Sequence, residues 1–308
     1  MTAADALHQP AFSTRETTAV QISAFQRFCW SVRRELWENR SLYIAPLVAG
    51  ALVVVGFLIA SLGIVHRTKL ISSMTPAQQL TAVGFPLDVA AGPIMGIGML
   101  VAIFYCLDAL YGERRDRSIL FWKSLPVSDL TTVLAKAAIP LLILPLILFI
   151  VTVITQWLML LTATAVLLLH GQSTVALWTQ LSLSRRWLLL LYHLYAVHAF
   201  WYAPFYGWFL LVSAWARRTP FLWAFLPPLA VGILERLIFN TTHFAGMIGY
   251  RLGGGGVTVT GQGQMPIDPG MQIHFGQYLA APGLWLGLLF TAACLAAATQ
   301  LRRYRSIM

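Results

Sequence analysis

The chain has 308 residues, 58% of them hydrophobic and only 10% charged, with a net charge of +10. That apolar share exceeds the roughly half found in soluble domains, which excludes a water-soluble globule and makes a bilayer the expected environment. The basic balance would also suit a nucleic-acid partner, but the basic residues sit at the ends of apolar runs, which assigns them to membrane orientation and leaves no nucleic acid among the expected partners.

In chain order, residues 1–20 are polar and carry acids, unlike the basic and then apolar start of a secretory leader. They are expected to form a disordered cytosolic tail. Residues 21–40, QISAFQRFCWSVRRELWENR, place Ile22, Phe25, Cys29, Val32 and Leu36 at helical spacing among Arg27, Arg33, Arg34, Glu38 and Arg40. This pattern predicts an amphipathic helix in the membrane interface, with Trp30 and Trp37 at headgroup depth and arginines toward acidic lipid. An amphipathic helix packed on protein gives the same pattern.

Apolar runs close to the roughly 20 residues that cross a ~30 Å hydrocarbon core predict six spans, near 42–65, 91–111, 137–162, 188–215, 221–245 and 283–301. The expected fold is therefore an all-α integral membrane protein, with residues 41–308 as one six-span membrane domain. Residues 66–90 are expected to be an outer loop with a short helix after Ser-Met-Thr-Pro. Gly92 and Gly96 form a small-xxx-small face suited to close helix contact. The run Leu130–Leu169 spans ~60 Å as helix, twice the hydrocarbon thickness, so Pro140 and Pro145 are expected to bend it, leaving it to tilt, protrude or end in a separate segment. Ala216-Arg217-Arg218-Thr219-Pro220 reads as a tight inner turn between antiparallel spans. Residues 246–282 form the longest outer segment; its GGGG at 253–256 is not followed by Gly-Lys-Ser/Thr and is no phosphate loop.

With a cytosolic N-terminus, the inner segments hold fifteen basic residues, the outer segments hold Arg67, Lys69, Arg185, Arg186 and Arg251, and Arg236 lies within a span, which accounts for all 21 Lys and Arg. This excess places both termini in the cytosol and the protein in the cell (inner) membrane. Cys29, Cys106 and Cys294 are expected to be free and make no zinc pattern.

The charge concentrates in YGERRDRSILFWKSLPVSDL, residues 111–130, directly after the second span. Glu113, Arg114, Arg115, Asp116 and Arg117 come first, then the apolar Ile119, Leu120, Phe121 and Trp122, which are too short to span and need a docking partner. Leu125-Pro126 ends that segment, and Ser128 can cap a new helix with Asp129 in its first turn. A cytosolic elbow of two short helices is expected, though a solvated inner loop would also satisfy the charge pattern.

The order of span, Glu-Arg-Arg-Asp-Arg-Ser-Ile-Leu, Ser-Leu-Pro-Val-Ser, lysine and span resembles the first cytosolic loop of ABC-2 type transporter permeases. That resemblance implies a coupling helix seated in a groove of a cytosolic ATPase. By position, Glu113 is the family's loop glutamate, Arg114 the adjacent basic residue and Ser118 its small hydroxyl residue; Ile119, Leu120 and Trp122 form the wedge, and Ser124-Leu125-Pro126-Val127-Ser128 the return turn. The implied assembly pairs two permeases, identical or related, with two ATPases that bind ATP and Mg, and its usual direction is export. The chain itself carries no Walker A, metal loop or nucleophile elbow, so it is not expected to be an enzyme or to hold a cofactor.

Ionisable residues within spans are functional candidates. Glu235 and Arg236 lie in the outer half of the fifth span, either as structural partners of other helices or as a substrate contact. His193, His198 and Tyr202 lie in an aromatic-rich fourth span, as packing or as a substrate wall; the five-residue separation predicts the histidines on different faces, against an i, i+4 zinc pair. A gradient-driven secondary transporter would predict repeated halves with broken midplane helices, and a membrane enzyme a clustered catalytic set; neither is visible in the sequence.

Overall fold

The computed structural model describes residues 23–61, 76–116, 118, 127–171, 173–254 and 275–305. Among them all regular structure is helical, and five helices are long and apolar enough to cross a membrane: Ser41–Ser61, Gly84–Arg115, Asp129–Leu169, Pro220–Phe239 and Pro282–Tyr304. The predicted tail at 1–20 lies outside the described residues.

Helix α1 (Ala24–Glu38) opens with a capping box: Ser23 Oγ accepts from Gln26 N–H at 3.2 Å and the Gln26 side chain accepts from Ser23 N–H at 3.1 Å. The face it buries is Ser31, Val32 and Glu35, with Phe28 and Leu36 packed beside it, while Phe25, Cys29, Trp30 and Trp37 point outward. Phe25 and Cys29 thus depart from the predicted apolar stripe, since the buried face is the one that carries Glu35 toward its partners; Ile22 lies outside the described residues. The outward aromatics keep arginine company, with the Arg33 guanidinium 4.8 Å from the Trp37 ring centre.

Helix α2 (Ser41–Ser61) is apolar all round and packs on α3 (Pro76–Ala109). The short helix expected before the second span is instead the first part of α3, which continues through Pro86 and Pro93; helix interiors in a bilayer tolerate proline when neighbouring helices satisfy the freed groups. The close helix contacts fall elsewhere than predicted. A Cβ on Gly92 or Gly96 would meet nothing within 4 Å, whereas one on Gly50 would stand 2.7 Å from Thr155 Oγ1, and Gly98 faces Leu148. A short helix, α4 (Tyr111–Arg115), follows at once.

The long apolar run is continuous: α5 (Asp129–Ala138), a π-helical segment π1 (Ile139–Ile143) and α6 (Leu144–Leu169). Pro140 has no N–H to give to the carbonyl of Lys136, and the ladder widens there, so that Leu144 N–H reaches back five residues to Ile139 O. At its start the helix packs against α1.

After α7 (Val175–Gln180), the fourth apolar run is α8 (Leu183–His193), a second π segment π2 (Leu194–Trp201) and α9 (Ala203–Trp215), with a break at Tyr202 ahead of Pro204. Helix α10 (Pro220–Phe239) ends earlier than predicted, at the left-handed Asn240 (φ 52°), and a separate helix α11 (His243–Leu252) follows. The predicted outer loop at 246–282 therefore contains the end of α11 and helix α12 (Phe275–Ala280) before α13 (Pro282–Arg305), with 255–274 outside the described residues. Helix α3 sits centrally against α2, α6 and α9, and α13 lies along α9.

Candidate functional site: a buried ion cluster beneath the elbow

One end of the bundle gathers α1, α4, the start of α5 and the ends of α3, α9 and α13. The elbow is anchored there by backbone chemistry. The helical run is interrupted at Leu110, between α3 and α4, where backbone N–H groups can take an outside acceptor. Ser213 Oγ, near the end of α9, accepts from Leu110 N–H at 3.0 Å and from Tyr111 N–H at 2.9 Å. Arg114 completes the joint from the other side, donating to Ser213 O at 2.5 Å and Ala216 O at 2.8 Å, the carbonyls that the end of α9 leaves open.

Glu113 turns the opposite way, into protein. It is 8% exposed and shares a cluster with five other charged side chains drawn from three helices. The α5 ammonium of Lys136 lies 2.8 Å from Glu35 Oε1 and 3.1 Å from Glu113 Oε1. Arg34 is 2.7 Å from Glu35 Oε1 and 3.4 Å from Glu113 Oε1. Arg302 on α13 pairs with Glu113 Oε2 and, through Nε, with Asp129 Oδ1 at 2.9 Å. Tyr105 of α3 donates to Glu35 Oε2 at 3.0 Å. Glu35 and Lys136 are 1% and 2% exposed, so these charges meet with little water between them.

Three carboxylates (Glu35, Glu113 and Asp129) face three cations (Arg34, Lys136 and Arg302). Isolated charges at this burial would be prohibitive, and removing one member of a buried pair costs about 3–5 kcal/mol because the partner stays desolvated. The cluster is therefore a lock whose parts depend on one another. It holds the elbow, α1, the start of α5 and α13 in one register. Local chemistry places each member: Ser128 Oγ accepts from Thr131 N–H at 3.1 Å, the predicted cap, which sets Asp129 at the first turn of α5 facing α13.

Arg115 and Asp116 face outward. Arg115 and Asp116 pair with each other at 3.0 Å, more than half exposed, and Arg115 also stands 3.7 Å from Asp108. The Arg115 hydrogen bond holds the Asp116 carboxyl below its usual range. Ser118 Oγ donates to Glu113 O at 3.4 Å. Arg117, Ile119, Leu120, Trp122, Leu125 and Pro126 lie outside the described residues. Thus Glu113 and Arg114 grip the bundle while Arg115 and Asp116 present charge to the surroundings.

The candidates within the spans separate into two places. Glu235 does not reach another span: Oε1 accepts from Thr241 Oγ1 and from His243 N–H, each at 2.8 Å, and Oε2 from Phe244 N–H at 2.9 Å. It caps α11, a carboxylate at the positive end of a helix. Arg236 is exposed. His193 and His198, expected on different faces, instead contact each other with ring centres 5.5 Å apart, because π2 winds more slowly than an α-helix and aligns residues five apart. Tyr202 stands edge-on to His198 at 5.5 Å. Side chains satisfy the carbonyls that π2 turns aside: Tyr278 donates to Ala196 O and Tyr206 to His198 O, each at 2.8 Å, and Arg251 to Trp201 O at 2.9 Å.

Sequence reasoning counted Arg34, Lys136 and Arg302 only as orientation signals and passed over Glu35, Asp129, Tyr105 and Ser213 as site residues. One local signal was available: Glu35 shares a helical face with Ser31, Val32 and Leu36, where an acid next to apolar residues needs a partner. Among the described residues no group of three or more His, Cys, Asp or Glu could hold a metal ion. The chain matches no family model, no curated protein and no solved structure at a significant level.

Proposed function

We propose that this chain is the membrane-spanning permease subunit of an ATP-binding-cassette exporter, driven by cytosolic ATPase subunits that press on the 111–128 elbow. The single observation that carries the reading is the ion cluster at Glu113. A segment that transmits force must be stiffly joined to the helices it moves, and Glu113 and Arg114 join the elbow to α1, α5, α9 and α13 through charged hydrogen bonds. Arg115 and Asp116 remain outward, where a partner protein would meet them.

In this reading the interrupted run 183–215 is a sixth crossing, the elbow end is cytosolic, and both termini lie there. A second permease, identical or related, completes the path. Helix α10 supports that step: only 6% of its apolar window is buried within the chain, leaving its surface to lipid or to a partner permease. Nucleotide closure in the ATPases would move the elbow, and the ion cluster together with Arg114 would carry that displacement to α1, α5, α9 and α13 at once.

Purification from native membranes in mild detergent tests the reading. An ATP-binding-cassette ATPase is expected to copurify, and its ATP hydrolysis is expected to fall at least tenfold in its coupling to transport when Glu113→Gln or Arg114→Ala is introduced. Transport by the chain alone in liposomes without nucleotide would overturn it.

A further inference from the structure

The elbow end of the bundle carries charge that the ion cluster does not balance. The cluster itself is neutral, with three carboxylates against three cations. Outside it stand Arg33, Arg40, Arg217, Arg218 and Arg303, all exposed, and among the described residues none of them pairs with a carboxylate. The exposed acids of this end are already engaged: Glu38 with Arg34 at 3.6 Å, and Asp108 and Asp116 with Arg115 at 3.7 and 3.0 Å. What remains is a rim of one sign.

Aromatic side chains accompany these arginines. The Arg33 guanidinium lies 4.8 Å from the Trp37 ring centre and that of Arg303 lies 5.9 Å from the ring of Tyr304. Trp215 and Trp223, which meet edge-on at 4.9 Å, flank the Arg217-Arg218 turn. A guanidinium beside a ring is held by its charge and keeps its N–H donors for an oxyanion. On α1, Trp30, Arg33 and Trp37 recur at spacings of three and four, forming one stripe opposite the buried Ser31, Val32 and Glu35. The rings decide which anion the rim suits. Trp30 and Trp37 are 62% and 68% exposed, and tryptophan at the ends of membrane-crossing helices sits in the headgroup layer, half apolar and half wet. A nucleic acid would instead require the arginines to stand clear of the bilayer.

We infer that this rim binds phospholipid headgroups of net negative charge, with Arg33 on α1 and Arg303 on α13 donating charge-assisted hydrogen bonds to them. A zwitterionic headgroup also offers a phosphate, but its own ammonium cancels the attraction. Arg34 and Arg302, the chain neighbours of these two arginines, both grip Glu113. Lipid on the outer side of α1 and α13 thus braces the helices that hold the elbow. The inference rests on the bilayer environment and not on an ATPase, because binding is measured on the purified chain without nucleotide.

The full chain in mild detergent is titrated with phosphatidylglycerol or phosphatidylcholine, and bound lipid is counted by native mass spectrometry. Phosphatidylglycerol should be retained in preference to phosphatidylcholine, and an excess of glycerol 3-phosphate should not displace it. Arg33→Gln and Arg303→Gln should each weaken retention about fivefold, the weight of one cation at an anionic surface. Arg33→Lys keeps the charge and should keep the lipid, which separates loss of charge from disturbance of α1. Equal retention of the two lipids, or unaltered retention of phosphatidylglycerol in both glutamine variants, would overturn the inference. Displacement by glycerol 3-phosphate would mark a site for soluble phosphates instead, and tighter binding of a DNA duplex would mark a nucleic-acid surface; either result overturns it.

Discussion

Two of the polar regions inside this bundle handle polarity in opposite ways. The elbow end sets three carboxylates against three cations, with Glu35, Glu113, Lys136 and Arg302 buried and Arg34 and Asp129 partly exposed, each within hydrogen-bonding reach of another. The π2 region sets a buried ring, His193, against the half-buried His198 with no countercharge, and leaves His193 Nδ1 without a hydrogen bond. A balanced network is rigid, since moving any member strands the others. A ring nitrogen without a partner strands nothing else when it moves. The contrast separates a region whose charges join helices to one another from one that leaves a buried polar atom unmatched.

The sharpest way to break the comparison is to unbalance the network. Lys136→Met removes the ammonium shared by Glu35 and Glu113, and should destabilise the folded chain by about 3–5 kcal/mol, read as resistance to denaturant in micelles. Glu113→Gln should cost less, about 2–3 kcal/mol, because Glu35 still neutralises Lys136 and Asp129 still holds Arg302. The double variant should cost less than the sum of the two, since both act on one cluster; additive losses would dissolve the idea of a lock. Ser213→Ala leaves the N–H groups of Leu110 and Tyr111 without their acceptor and should cost about 1–3 kcal/mol, with faster hydrogen exchange at both amides. Glu235→Ala should act locally, raising exchange at the start of α11 with little change in global stability, as expected for an exposed cap. By contrast, His198→Gln should leave denaturant resistance close to that of the parent, because it removes no partnered charge.

Much of this architecture was legible in the sequence. Helical class and membrane environment followed from apolar runs of spanning length, and five such helices are present. Ser128 as a cap followed from Pro126 and the Ser-Asp pair before an apolar run. What escaped had a physical cause. Helix periodicity assumes 3.6 residues per turn, so it separated His193 from His198, and only the wider π2 turn brings them together. Proline signalled disruption at Pro140 without saying that the ladder would widen there and continue. Pairings between distant segments, such as Arg302 with Asp129 and Glu113, leave no local trace, since each residue taken alone satisfies the charge bias of a membrane end. Gly92 and Gly96 looked like a packing face, yet close contact depends on which neighbour arrives, and Gly50 and Gly98 met it instead.

The central claim is that the elbow joins this membrane domain to a separate motor. The most direct measurement places a photoreactive residue at Asp116, an exposed elbow position, and irradiates native membranes with and without nucleotide. The account predicts a cross-link to an ATP-binding-cassette ATPase whose yield changes with ATP. A cross-link only to lipid or to other copies of this chain, unaltered by nucleotide, would contradict it.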